Sequence, residues 1–230
     1  MEGKSTKHFY DNFIIEITPI FQNYGFEYKK SLQCFLKQID NSIYCIGVRK
    51  LSGGIEVELS LTIEDKLINE VLKEIFNLKK LPSHETIEWN AYQLKRHGLK
   101  NYSFFIMEPQ EIEEGKKNIL ELINQFALPY FKKYSGLKGI DDLVNDVSEY
   151  PFLIAEGNNI IEIKKSHSTH DKWTVYIGLI TAKLLNRSDF EFIKERNLLQ
   201  LNRFDIEDKE EVLQRFNNID WDSYRKQIVI

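Results

Sequence analysis

The chain reads as an α+β protein: an antiparallel β-meander sheet of about five or six strands packed by helices, followed by an α-helical C-terminal half. Three observations predict this class. From Ile55 to Ile63 apolar and polar residues alternate without interruption, the period-two pattern of a strand with one face on a core and the other in water. Further strand-like runs lie before and after it with turn signals between them, the order of a meander. From Pro109 onward the apolar spacing changes to three and four residues, the period of helices.

The elements follow in order. Phe9, Phe13, Ile17, Ile20, Phe21 and Tyr24 define a first helix closed by Gly25, with Pro19 expected to bend or restart it. Strands are predicted at Phe26 to Lys29, Leu32 to Ile39, Ser42 to Lys50 and Gly54 to Ile63, the middle pair joined by a two-residue turn at Asp40-Asn41. Period two then places Glu56, Glu58, Ser60 and Thr62 on the water face of the last strand. A helix follows, with Leu67, Ile68, Val71, Leu72, Ile75 and Phe76 on one side. Strands at Thr86 to Leu94 and Tyr102 to Met107 are rich in aromatic and β-branched residues, with His97-Gly98 in the turn between them.

Pro109 with Glu111, Glu113 and Glu114 marks the first turn of the longest helix, which Pro129 ends or kinks. Further helices are predicted at Ile140 to Val147, at Trp173 to Leu185, after a cap at Ser188-x-x-Glu191, and after Asp205. The domain organisation expected is an α+β sheet domain at 1–135 and a helical C-terminal subdomain at 136–230 packed on it.

Composition narrows the class of function. With 230 residues, 42% hydrophobic and 29% charged, the chain has the make-up of a folded soluble domain. A net charge of −4 gives no basic field for phosphate backbones, so no nucleic acid is expected. No window has the apolar length of a membrane span and the first residues lack a signal-peptide core, so the expectation is a cytoplasmic protein that does not enter a membrane. Cys34 and Cys45 fall on one face of the hairpin but on diagonal positions, about 7–8 Å apart, too far for an unstrained bridge. Both are expected to be reduced.

Chemistry is weakly marked. His167, His170 and Asp171 are the one cluster of metal-ligand types and could hold zinc with a further ligand recruited elsewhere. They lie on a polar connection just before a helix, where Thr169 or Asp171 serves equally well as a cap. Glu56 and Glu58 are close enough for paired acid–base work, but exposed strand carboxylates are usually solubility residues. Nucleophile elbow, phosphate loop, His-Glu-x-x-His and Cys-x-x-Cys patterns do not occur. No catalytic, cofactor-binding or metal residue is therefore assigned and no cofactor is expected. Trp89, Tyr92, Trp173 and Tyr176 are candidate partner anchors, or else core residues.

Three segments stand out together: Pro19-x-x-x-x-Tyr24-Gly25-Phe26-x-Tyr28-Lys29-Lys30, the run Leu128 to Ser135 leading into Asp141-Asp142-Leu143, and the helix pair Ile177 to Leu185 with Arg187-Ser188-Asp189-Phe190. They resemble an uncharacterised family of bacterial domains of unknown function. The resemblance implies a helix, a Gly-Phe entry into a β-meander and a helical tail, in a bacterial cytosolic protein of the kind found in toxin-immunity loci. The function expected is a protein-binding module such as a toxin-immunity protein, with another protein as partner and the oligomeric state left open. The alternative is a small metal-dependent or hydrolytic enzyme using His167, His170 and Asp171.

Overall fold

The computed structural model describes residues 6–51, 56–81, 87–89, 94–95, 98–145, 155–156, 159–160, 172–201 and 209–228. The fold is α+β, with an antiparallel sheet and a helical C-terminal half. Contacts among the residues divide the chain into two compact units, one of residues 1–39, 43–63 and 88–133, the other of 40–42, 64–87 and 134–230.

The first unit begins with α1 (Thr6–Asn23), which runs on through Pro19 instead of restarting there. Its end is closed as expected. Gly25 has φ +79°, the Phe26 amide donates to the Phe21 carbonyl and the Gly25 amide to that of Gln22. This pair of bonds is the Schellman closure, and the Phe21 and Phe26 rings complete its apolar contact at 6.2 Å.

Strands β1 (Glu27–Lys29), β2 (Cys34–Ile39), β3 (Ser42–Lys50) and β4 (Glu56–Asp65) follow in spatial order, with β5 (Ile87–Trp89) next to β4. In β1–β2, Lys29 faces Cys34. Asp40 takes φ +51° in the β2–β3 turn, and the Val48 amide donates to the Gln33 carbonyl at 2.9 Å. That register keeps the thiols diagonal, and Cys34 and Cys45 form no disulfide.

The outer face of β4 departs from expectation. Ser60 and Thr62 are each 2% exposed, and Glu56 and Glu58 are half-buried, so this strand is covered on both sides where period two predicted a wet face. The reason is partly local. Ser60 fills the space over Gly47 on β3, where a side chain's first carbon would stand 2.2 Å from the Ser60 hydroxyl. Glu56 is occupied by Ser103 of β6 (Ser103–Phe105), which pairs antiparallel with β4 and places Phe105 opposite Glu56. The two later strands were expected to meet around His97-Gly98, but β6 joins β4. His97 and much of the strand expected at Thr86 to Leu94 lie outside the described residues.

Helix α3 (Pro109–Glu121) starts as predicted, its Glu111 carboxylate accepting the Met107 and Glu108 amides. Pro129 does not end it. A π-helical stretch, Leu122–Ala127, carries the chain into α4 (Leu128–Tyr134), so the turn before the proline is widened instead of broken. Gly115 lets α3 approach α1: a side chain there would meet Phe13 at 2.7 Å. The core of this unit is aromatic, with Phe21 stacked on Phe35 at 3.7 Å and Tyr44 tilted against Phe131 at 4.8 Å.

The second unit holds α2 (Lys66–Ile75), α5 (Gly136–Asn145), α6 (Lys172–Leu184), α7 (Phe190–Leu201), α8 (Lys209–Asn217) and α9 (Trp221–Arg225), with a two-stranded ribbon, β7 (Ala155–Glu156) and β8 (Asn159–Ile160). Helix α6 is apolar nearly all round: Val175, Tyr176, Ile177, Leu179, Ile180, Ala182 and Leu184 are buried. A helix of that kind belongs in the middle of a bundle. α2, α5, α7 and α9 all pack on it.

Candidate functional site

The site is built on two faults in otherwise apolar helices. On α5, Leu137, Ile140, Leu143 and Val144 are buried, yet so are Asp141 and Asn145, one helical turn apart on the same side. On α6, Thr181 and the carbonyl of Gly178 face them. A buried carboxylate and a buried amide are costly unless every oxygen and N–H is engaged, and here they are. The Asn145 amide donates to Asp141 Oδ1 at 2.7 Å and to the Gly178 carbonyl at 2.8 Å, and Thr181 Oγ1 lies 3.0 Å from Asp141 Oδ1.

The turn after α6 supplies the countercharge. Asn186 sits at φ +49° with its amide on the Lys183 carbonyl, and the Arg187 amide donates to that of Ala182, a second Schellman closure. This fixes Arg187 at the position just past the helix end. From there Nη1 donates to Asp141 Oδ2 at 2.8 Å, while Nε and Nη2 grip both oxygens of Asp189 at 2.9 and 2.7 Å. The forked hydrogen bond from Arg187 holds the Asp189 carboxyl below the usual carboxylate range, and the two carboxylates in turn hold the guanidinium charged.

From α7, Arg196 reaches back across. Its Nη2 donates to Asn145 Oδ1 at 2.9 Å and its Nη1 to the Asn145 carbonyl at 3.1 Å. Gly178 makes room for this: a side chain there would stand 2.8 Å from Asn145 Oδ1 and 2.9 Å from Asn197 Nδ2. Three helices are thus tied by one polar network. Above it opens a cleft of about 420 Å³, lined among others by Lys138, Asp142, Arg187, Asp189, Phe192 and Arg196. Lys138 and Asp142 pair with each other along α5. Phe192 stands at the rim, 61% exposed.

The lining of the cleft contains no histidine, cysteine, serine, threonine or tyrosine, and its titratable groups are Lys138, Asp141, Asp142, Asp189, Arg187 and Arg196. Among the described residues no group of three or more His, Cys, Asp or Glu side chains is placed to hold a metal ion. Charges of both signs line the opening, Lys138, Arg187 and Arg196 beside Asp142 and Asp189.

No family model, curated protein or solved structure matches the chain.

The residues singled out in the sequence are placed elsewhere. His167, His170 and Asp171 lie outside the described residues, as do Tyr92 and the side chain of Trp89. Tyr176 is fully buried and Trp173 half-buried, their rings 4.9 and 4.6 Å from that of Phe76, so this pair is core of the second unit and not an exposed anchor. Glu56 is engaged by Ser103 within the first unit. The sequence does not mark Asp141, Asn145, Thr181 and Arg196 as a group. One signal was available: Asp141 and Asn145 interrupt an apolar stripe at a spacing of four, which is polar where a core residue is due. Among the described residues no helix is long and apolar enough to cross a membrane.

Proposed function

We propose that the protein is a protein-binding module and that its partner docks at the α5–α7 cleft, with Phe192 as the apolar anchor. The observation that carries this reading is Phe192 itself. A large aromatic side chain, 61% exposed, stands beside a charged cleft rather than in the core around it. Interfaces are enriched in aromatic residues and arginine at their centres, with polar rims around them. The lining, with Phe192, Arg187 and Arg196, fits that composition. Neutralisation of a toxin as an immunity protein is the kind of binding expected from the sequence, and the charge of −4 suits a basic partner.

The reading is tested by affinity capture from the cells that make the protein, with wild type, Phe192→Ala and Lys138→Glu as baits. Both positions are exposed, so melting curves should be unchanged. Loss of one specific protein with Phe192→Ala, and a faster association with the more acidic Lys138→Glu, is the expected result. Equal recovery by all three baits would place the binding surface elsewhere.

A further inference from the structure

Helix α7 carries two apolar stripes, and its own unit uses one. At about 100° per residue, Phe190, Ile193, Asn197 and Leu201 fall within about 80° of one another. All four are buried. Phe192 and Leu199 fall within about 20° of each other on the opposite side of the helix. They are 61% and 69% exposed, Leu199 being the most exposed large apolar side chain among the described residues. A surface helix of a monomer keeps that side polar.

The charges beside the second stripe indicate what covers it. Glu195 and Arg196 flank its centre line, about 50° to either side. When such a face meets its own copy, the orientation of the two helices decides which flanks touch. About a two-fold axis perpendicular to the helix, the pair is antiparallel, and Glu195 meets Glu195 while Arg196 meets Arg196. With the axis along the helix, the pair is parallel. Phe192 then meets Phe192, Leu199 meets Leu199, and on each flank Glu195 of one copy lies beside Arg196 of the other. The face is self-complementary in the parallel arrangement alone, since like charges set opposite one another oppose association. Arg196 already directs N–H groups to Asn145 and Asn197, so its charge, and not a vacant donor, is what this arrangement uses.

We propose that α7 pairs in parallel with α7 of a second copy of this chain, through Phe192 and Leu199. The proposal rests on the reading of Phe192 as a docking residue and names a second copy, in place of a basic toxin, as what docks there. Twelve residues of helix extend about 18 Å. One such pair makes an interface at the small end of the specific range, so the dimer is concentration-dependent.

The test is sedimentation velocity on the full chain over about a hundredfold range of concentration, for wild type and Leu199→Glu, with a melting curve of each. Wild type should move from monomer to dimer, and Leu199→Glu should stay monomeric with its melting temperature unchanged. Phe192→Cys and Leu199→Cys, oxidised separately, should each form a covalent dimer through the introduced residue alone, identified by peptide mass so that Cys34 and Cys45 are set apart. A wild type that stays monomeric, or a Leu199→Glu variant that dimerises like it, overturns the proposal. So does a disulfide between positions 192 and 199 as the main product of a mixture of the two cysteine variants. If wild type is monomeric while Phe192→Ala still loses a captured protein, the pairing is wrong and the docking surface stands.

Discussion

Arg187 and Asp141 meet across 46 positions of sequence, guanidinium Nη1 to carboxylate Oδ2 at 2.8 Å, with the Asp141 side chain 1% exposed. Removing either partner has unequal consequences. Asp141→Ala leaves Arg187 with Asp189 but strips Asn145 and Thr181 of an acceptor in the interior, and should destabilise by about 3 kcal/mol. Arg187→Ala should cost more, because it leaves the buried Asp141 carboxylate without its countercharge and Oδ2 without the Arg187 donor. Urea unfolding of the two variants and their double mutant checks both the order and the coupling.

The helical half was legible because its apolar spacing is strong, and so were the Gly25 helix end and the Asp40-Asn41 turn, where local backbone chemistry decides. What stayed hidden depends on tertiary context. Alternation in β4 told which residues share a face but not that both faces are covered, because burial of Ser60 depends on Gly47 of the neighbouring strand. The pairing of β6 with β4 is likewise a choice among partners that period alone cannot rank. The cleft was harder still. Its members come from three helices and a turn, and only the Asp141–Asn145 pair is local.

Gly178 tests the packing of the network. In most helices Gly→Ala gains up to about 1 kcal/mol from propensity. In α6 the added carbon would stand 2.8 Å from Asn145 Oδ1 and 2.9 Å from Asn197 Nδ2, polar atoms that cannot withdraw without losing their bonds. Gly178→Ala should therefore destabilise by about 1–3 kcal/mol, as overpacking does. Thermal unfolding gives the sign directly.

Thr62 tests the covered face of β4. It is buried, and its hydroxyl finds no hydrogen-bond partner among the described residues. Thr62→Val keeps the shape and removes that group, so a gain of about 1 kcal/mol is expected. No change would mean that water reaches the hydroxyl.

Asp65 gives a pH signature. It caps α2 by accepting the Ile68 amide at 3.0 Å, yet burial raises its pKa above the ordinary value of 3.8. A carboxyl raised in the folded state binds its proton there before it does when unfolded, so lowering the pH from the raised value towards 3.8 should add stability from this group. Asp65→Asn keeps an acceptor for the cap without the buried charge and should remove that pH dependence. Asp65→Ala should lose about 1 kcal/mol at neutral pH. Stability curves of the three proteins against pH check both points.

The claim that the α7 side of the cleft is a docking surface is tested most directly by a photoreactive phenylalanine analogue. It is placed at position 192 and, as a control, at the exposed Asp222 of α9, in cells that make the protein. Irradiation should give one discrete adduct from position 192, a second copy of the chain or another protein, and none from 222. Folded protein that yields no adduct at 192, or the same adducts from both positions, would contradict the account.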